Sequence, residues 1–199
     1  MSLLDKIKAM FEFKAPSDSG AEQRTRAYEV LARANALLLQ CKHEEALSAY
    51  DRALNGGVAG ERVYEGRAVC LQALGYDLDA IDDLSAAIAT KPNDSNLYFM
   101  RAMSRQTIGD FRSAVEDIAE AVRVAIRVPS EQTTYDLQAR EWGHSDVANF
   151  YKMQLLLATG FLDEERRSEE RRRQNPAVDL GPTLSSTRQA RARRRPQHD

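Results

Sequence analysis

The side chains that could carry out catalysis are few, and they fall in two short runs. Cys41 and His43 are two residues apart, and these are the types that form a thiolate–imidazole nucleophile. His144, Ser145 and Asp146 are the types of a hydrolase triad, but three consecutive residues cannot adopt the geometry of a triad. A Cys–His pair in a turn also lacks a third group to orient the histidine. We therefore expect a turn thiol beside an exposed histidine, and a helix cap at Ser145 or Asp146.

The sequence also does not favour a zinc site, a phosphate-binding loop or a pair of acid–base carboxylates. The spacing of the cysteines and histidines matches no zinc site, and no glycine-rich stretch matches a phosphate-binding loop. The acidic pairs Glu44-Glu45 and Asp82-Asp83 are expected on the solvated faces of outer helices, not as a general acid and base. The sequence therefore predicts a protein that is not an enzyme, with no catalytic residues, no metal and no cofactor.

Composition narrows the class of protein further. The chain has 199 residues, of which 43% are hydrophobic but only 7% aromatic, so it can form a core but does not favour a β-sandwich or barrel. No stretch approaches the roughly 20 apolar residues of a membrane-spanning helix. Two cysteines are too few for a disulfide framework and fit a reducing compartment. We expect a cytoplasmic location, or one peripheral to a membrane or a large complex.

A period of 34 residues organises the middle of the chain. Alanines recur at this shift in three series, and larger apolar residues recur in three more. The six series are Ala34, Ala68 and Ala102; Ala46, Ala80 and Ala114; Ala53, Ala87 and Ala121; Tyr50, Leu84 and Ile118; Leu54, Ile88 and Val122; and Leu47, Ile81 and Val115. Gly75, Gly109 and Gly143 follow the same shift, and glycine after a helix readily takes the left-handed conformation. Each period predicts two antiparallel helices joined by a short turn, with alanines where the helix axes approach closely.

These residues resemble the tetratricopeptide repeat family. The clearest copy reads Tyr98-x-x-Arg101-Ala102, then Gly109-Asp110-Phe111-x-x-Ala114, then Ile118-x-x-Ala121-Val122. The resemblance implies an all-α solenoid of helical hairpins, with repeats at 27–60, 61–94 and 95–128. It also implies that residues 129–174, a degenerate fourth repeat followed by a charged C-terminal helix, cap the solenoid.

Three arginines, Arg33, Arg67 and Arg101, also recur at the 34-residue shift. We expect their aliphatic stems to pack between helices and their guanidinium groups to pair with carboxylates.

The resemblance also implies a binding surface. In this family, the first helix of each hairpin lines a concave groove that receives a protein or peptide partner. The groove residues carried over to this chain are Leu31, Asn35, Leu38, Val69, Asn96, Phe99, Met100 and Met103. Most of them are apolar, so we expect an amphipathic helix or an extended apolar segment as the ligand. Alternatively, the N-terminal helix or residues 150–162 of the same chain cover the groove.

Some co-chaperones of this family clamp the terminal carboxylate of a heat-shock chaperone with lysine, arginine and asparagine side chains. Only Asn35 matches that clamp here. The other four places hold Leu31, Gly66, Asn96 and Met100, which bring no positive charge. The carboxylate-clamp subclass is therefore disfavoured.

Residues 1–20 are expected to form an N-terminal amphipathic segment and a linker. The apolar residues share one stripe of the predicted helix, which at about 20 Å is too short to span a bilayer. The stripe consists of Leu3, Leu4, Ile7, Met10 and Phe11. Three interpretations stay open: packing on the solenoid, docking to a partner protein, and anchoring on a membrane surface.

Residues 175–199 are expected to form a disordered basic tail, because their composition is too polar to bury a core. Residues 161–199 hold ten Lys and Arg against seven Asp and Glu, whereas the preceding 160 residues hold 18 against 23. The acidic body does not favour a nucleic-acid partner. The leading hypothesis is a non-catalytic adaptor or assembly chaperone. The alternatives are a membrane or complex scaffold anchored through residues 1–14, and a nucleic-acid accessory protein acting through the arginine-rich tail.

Overall fold

A computed structural model describes residues 19–129, 132–176, 181–190 and 192–196, and every regular element in these ranges is a helix. The helices are α1 (Ser19–Leu39), α2 (His43–Asn55), α3 (Glu61–Ala73), α4 (Asp77–Thr90), α5 (Ser95–Thr107), α6 (Phe111–Arg127), α7 (Thr133–Glu141), α8 (Val147–Gln174) and α9 (Leu184–Gln189). The candidate anchor at Leu3, Leu4, Ile7, Met10 and Phe11 lies outside the described residues.

Helices α1 to α6 form three consecutive hairpins, α1–α2, α3–α4 and α5–α6, and each hairpin packs on the next through α2 with α3 and α4 with α5. The predicted all-α helical-hairpin solenoid is therefore confirmed. All nine alanines of the three alanine series are completely buried, as residues at close helix crossings must be. Tyr50, Leu84 and Ile118 are likewise fully buried and fill the space between helices.

The turns inside the hairpins have the conformation that the glycine series predicts. Gly75 and Gly109 have φ angles of +77° and +83°, in the left-handed region that side chains disfavour. The first hairpin has Cys41 at the equivalent position, and Cys41 adopts the same left-handed conformation with φ +57°. The turn geometry is thus kept even where the sequence departs from the glycine pattern.

The buried alanines give a direct test of the repeat register. Ala114→Leu is expected to lower the free energy of unfolding by about 1–3 kcal/mol, because the added atoms overpack a contact with no free space. Ala89→Leu, at an exposed position on α4, is the matched control and should change stability by less than about 0.5 kcal/mol. Urea unfolding of both variants checks this, and equal stabilities would contradict the assigned register.

The C-terminal part departs from a regular fourth repeat. The long helix α8 packs directly along α6, while α7 contacts α8. The Asp136 carboxylate accepts a hydrogen bond from the Val147 backbone N–H at 2.9 Å, so Asp136 helps to cap α8 at a place where the repeat pattern expects a small residue. Asp146 accepts from the Asn149 N–H at 2.8 Å, which confirms the predicted cap and lowers the pKa of the Asp146 carboxyl.

The described part of the tail makes specific contacts with the hairpins. Residues 181–190 and 192–196 include a short helix, α9, and lie against the hairpins. The physical reason is a set of polar contacts far apart in sequence: the Ser185 hydroxyl donates to the Gly109 carbonyl at 2.7 Å, and Arg194 pairs with Asp79 and Asp82. A polar composition alone cannot reveal such partners.

Candidate functional site

The first helices of the three hairpins carry the predicted groove. On α1, Tyr28, Leu31, Asn35 and Leu38 follow one another at helical spacing and share a face. Tyr28 is 61% exposed, whereas Leu31 and Leu38 are half-buried against the core. The shared face of α1 is therefore apolar and partly open to solvent.

The groove positions predicted on α3 and α5 are also mostly apolar. Val69 and Met100 are half-buried, and Met103 is 42% exposed. We call the apolar side chains of this surface the groove face; they are Tyr28, Leu31, Leu38, Val69, Met100 and Met103. Of these side chains, Tyr28 and Met103 are exposed and the other four are half-buried.

The two asparagines predicted for the groove use polar groups within the fold. The Asn35 side-chain carbonyl accepts a hydrogen bond from the Tyr50 hydroxyl at 2.7 Å, and the Asn96 amide donates to the Met100 sulfur at 3.3 Å. Burial raises the pKa of the Tyr50 hydroxyl to about 12, so it stays a donor to Asn35 at physiological pH. These asparagines help to fix the groove face.

Gly66 lies at a groove position of the family but is buried. A Cβ atom there would lie 2.2 Å from the Tyr50 hydroxyl oxygen. Gly66 therefore makes room for the buried tyrosine of the preceding hairpin and does not offer surface to a ligand. A glycine in the interior of a helix was the only sequence signal for this close approach.

Phe99 is covered by the chain's own α8. Its ring centroid lies 5.2 Å from that of Phe150 and 5.1 Å from that of Tyr151. Tyr151 is buried beside Ser95, and this burial raises the pKa of its hydroxyl. The alternative that residues 150–162 cover the groove in cis therefore applies at Phe99, in the third hairpin. The sequence left open which segment covers the groove and at which hairpin, because α8 leaves the 34-residue register.

The recurring arginines form the predicted ion pairs in two hairpins. The Arg67 Nε and Nη2 atoms lie 2.7 and 2.5 Å from the two Asp83 carboxylate oxygens, and Arg67 Nη1 lies 3.1 Å from Asp51 of the preceding hairpin. Arg101 makes the equivalent pair with Asp117 at 2.9 and 2.7 Å. The prediction of paired guanidinium groups is confirmed for Arg67 and Arg101. The expectation that the Asp82-Asp83 pair lies on a solvated face is wrong for Asp83, which is buried because it pairs with Arg67.

The first hairpin departs from this pattern. Ala49 stands at the position equivalent to Asp83, and Arg33 is exposed. The third hairpin adds a contact, because Arg105 Nη1 lies 2.7 Å from the Asp117 carboxylate. The ion pairs join α3 to α4 and α5 to α6, and so hold the first helix of each hairpin in place.

Of the residues weighed for catalysis, His43 begins α2 and is half-buried, not exposed as expected. Cys70 is buried, and burial raises the pKa of its thiol to about 11, which keeps it protonated at neutral pH. Cys41 is exposed in the first turn. Among the described residues, no group of three or more His, Cys, Asp and Glu side chains is placed to hold a metal ion.

None of the described helices is both long and apolar enough to cross a membrane.

Comparison with known proteins is informative at the level of structure. No protein-family model matches the sequence, and no curated protein matches it. The crystal structure of the Sgt2 TPR domain from Aspergillus fumigatus is similar, with 20% identity over 82% of this chain and 93% of that domain, at a TM-score of 0.54. Two crystal structures of MamA are each 16% identical; they match 85% and 89% of this chain and 98% and 93% of their own, at TM-scores of 0.50 and 0.51. With three hairpins in a 34-residue period and these structural neighbours, the chain has the fold of a tetratricopeptide-repeat solenoid.

Proposed function

We propose that this protein is a non-catalytic protein–protein interaction adaptor or assembly chaperone that binds an apolar helix or peptide on the groove face. The observation that carries the proposal is the open apolar surface of the first helices, with Tyr28 and Met103 exposed around half-buried Leu31, Leu38 and Val69. A partner that buries this surface gains the free energy of removing apolar area from water.

The cover over Phe99 supports a ligand position on the rest of the groove face. Phe150 and Tyr151 cover Phe99, so this part of the groove already has an occupant. In this proposal the ligand contacts Met103 on α5, Val69 on α3 and Tyr28 on α1. Aromatic and methionine side chains adapt to varied apolar ligands and are frequent centres of binding energy. An amphipathic helix with apolar residues every three or four positions fits such a surface.

The exposed ends of the groove face provide the test. Tyr28→Ser combined with Met103→Ser is expected to weaken partner capture by at least about tenfold, because a buried apolar anchor is typically worth about 2 kcal/mol or more. Both side chains are exposed, so the melting temperature should change little. The measurement is quantitative mass spectrometry of proteins retained from cell extract, followed by the Kd of the purified partner.

Ile126→Ser is the matched control. Ile126 is 58% exposed but lies on α6, outside the groove face, so its replacement should leave capture unchanged. If a folded Tyr28→Ser/Met103→Ser variant retains its partner as strongly as the wild type does, the groove face is not the binding surface.

A further inference from the structure

The tail segment, residues 181–190 and 192–196, follows the hairpins in reverse order. At the third hairpin, the Ser185 hydroxyl donates to the Gly109 carbonyl at 2.7 Å and Arg188 donates to the Gln106 carbonyl at 2.5 Å. The Arg188 guanidinium carbon also lies 5.4 Å from the centre of the Phe111 ring. The segment then reaches the second hairpin at Asp79 and the first at Asp51. The tail therefore has a defined path over three repeats.

At the end of this path, two adjacent arginines meet three aspartates. Arg194 Nη1 lies 3.0 Å from an Asp79 oxygen and 2.7 Å from an Asp82 oxygen, so one guanidinium joins two carboxylates. The Arg195 backbone N–H donates to the other Asp79 oxygen at 2.6 Å, and its guanidinium pairs with Asp51. Asp79 thus binds both a side chain and the main chain of the tail. A main-chain contact fixes the register of a peptide, which surface charge attraction alone does not do.

These aspartates lie on α2 and α4, the second helices of their hairpins, and not on the groove face. Asp79 and Asp82 are three residues apart on α4, and Asp51 comes from α2 in the preceding hairpin. We call Asp51, Asp79 and Asp82 the acidic site. Planar guanidinium groups make several directed bonds to carboxylates, which the single ammonium of lysine does not reproduce.

We propose that the acidic site is a recognition site for paired arginines in an extended peptide, and that the chain's own Arg194 and Arg195 are its resident ligand. An arginine-rich segment of another molecule binds there by displacing the tail. The site is separate from the groove face, so this inference holds whether or not the groove face binds a partner.

The first experiment measures this displacement with the full chain. The probe is a fluorescent peptide with the sequence of residues 184–196, and the readout is its anisotropy. Arg188→Gln/Arg194→Gln/Arg195→Gln releases the resident tail while leaving the acidic site intact. The released chain is expected to bind the probe at least about tenfold more tightly than the wild type, a difference of about 1.4 kcal/mol. A probe with lysine at positions 193–195 should bind more weakly than the arginine probe.

Charge-matched variants of the released chain locate the site. Adding Asp79→Asn/Asp82→Asn should reduce probe binding at least about tenfold, because it removes both carboxylates that hold the first arginine. Adding Glu44→Gln/Glu45→Gln, which removes two exposed charges elsewhere on the same hairpins, should leave binding within about twofold. If wild-type and released chains bind alike, the tail is not the resident ligand. If the two acidic double variants bind alike, the acidic site is not the recognition site.

A second experiment tests the path of the tail without changing charge. A Cβ atom on Gly109 would lie 2.5 Å from the Ser185 carbonyl oxygen, whereas a Cβ atom on Gly143 would meet nothing within 4 Å. Both glycines have similar positive φ angles, +83° and +85°, so alanine causes similar backbone strain at either position. Gly109→Ala should speed amide hydrogen exchange in residues 185–195, and Gly143→Ala should not. Equal exchange of the tail in the two variants would overturn this path.

Discussion

Arg67→Met is expected to lower the free energy of unfolding by about 3–5 kcal/mol, because it leaves the buried Asp83 carboxylate without its cation. Asp83 is only 4% exposed, and both of its oxygens accept from Arg67. Methionine keeps an apolar stem of similar length. The loss of unfolding free energy therefore measures the contribution of the Arg67 charge and its hydrogen bonds, and not that of its packing. Chemical unfolding of the folded variant gives the free energy directly.

The third hairpin supplies the control for this substitution. Arg101→Met removes the equivalent arginine, but Asp117 keeps Arg105 at 2.7 Å and so stays paired. We expect a clearly smaller loss of stability there. The double variant Arg67→Met/Asp83→Leu should recover most of the loss, since a buried ion pair replaced by apolar residues is often nearly neutral. Equal losses for the two arginine substitutions would contradict this account.

The pH dependence separates an unpaired charge from a packing defect. Burial raises the pKa of the Asp83 carboxyl, and Arg67 opposes the rise by favouring the charged form. Without Arg67 the pKa in the folded protein rises further above the unfolded value of about 3.9. A proton then binds the folded state more tightly than the unfolded state. The stability deficit of Arg67→Met relative to wild type should therefore shrink as pH falls from neutral through the raised pKa, whereas a packing defect would not change.

Phe99→Ala should cost about 2–4 kcal/mol of stability, because its ring packs between Phe150 and Tyr151 and its loss leaves a cavity there. Met103 is one helical turn further along α5 and is 42% exposed, so Met103→Ala should cost less than about 0.5 kcal/mol. The resemblance alone treats these two residues as equivalent groove positions. Urea unfolding of the two single variants distinguishes them.

A second measurement tests whether α8 covers Phe99. Loss of Phe99 should increase proteolytic cleavage near Tyr151, since the two side chains stabilise each other's positions. If Phe99→Ala is as stable as wild type and α8 stays protected, the contact with Phe150 and Tyr151 does not contribute to the fold.

The solenoid itself could be predicted because its determinants repeat. Ala34, Ala68 and Ala102 recur at one spacing and are all buried, so a single sequence contains three independent copies of the same packing evidence. The ion pairs of Arg67 and Arg101 could be predicted for the same reason. The left-handed turns followed from Gly75 and Gly109, whose type is tied to one backbone conformation.

The features that escaped prediction occur only once and join distant parts of the chain. Asp79 lies 115 positions before Arg194, so no short spacing connects them. Gly66 is another example, because a glycine is needed there to leave space for the Tyr50 hydroxyl of the previous hairpin. Composition marks the tail as polar and basic, but only a three-dimensional structure shows which carboxylates it meets.

The carboxylate of Asp51 has a consequence for cooperativity. One of its oxygens binds Arg67 of the second hairpin, and the other binds Arg195 of the tail. In a solenoid, each repeat is held mainly by its neighbours, so the junction between the first two hairpins determines whether the first unfolds with the rest. Because the tail shares Asp51 with that junction, tail release and the unfolding of α1 and α2 are thermodynamically linked. A ligand that removes the tail should therefore let the first hairpin unfold at a lower temperature, as a separate transition ahead of the remaining repeats.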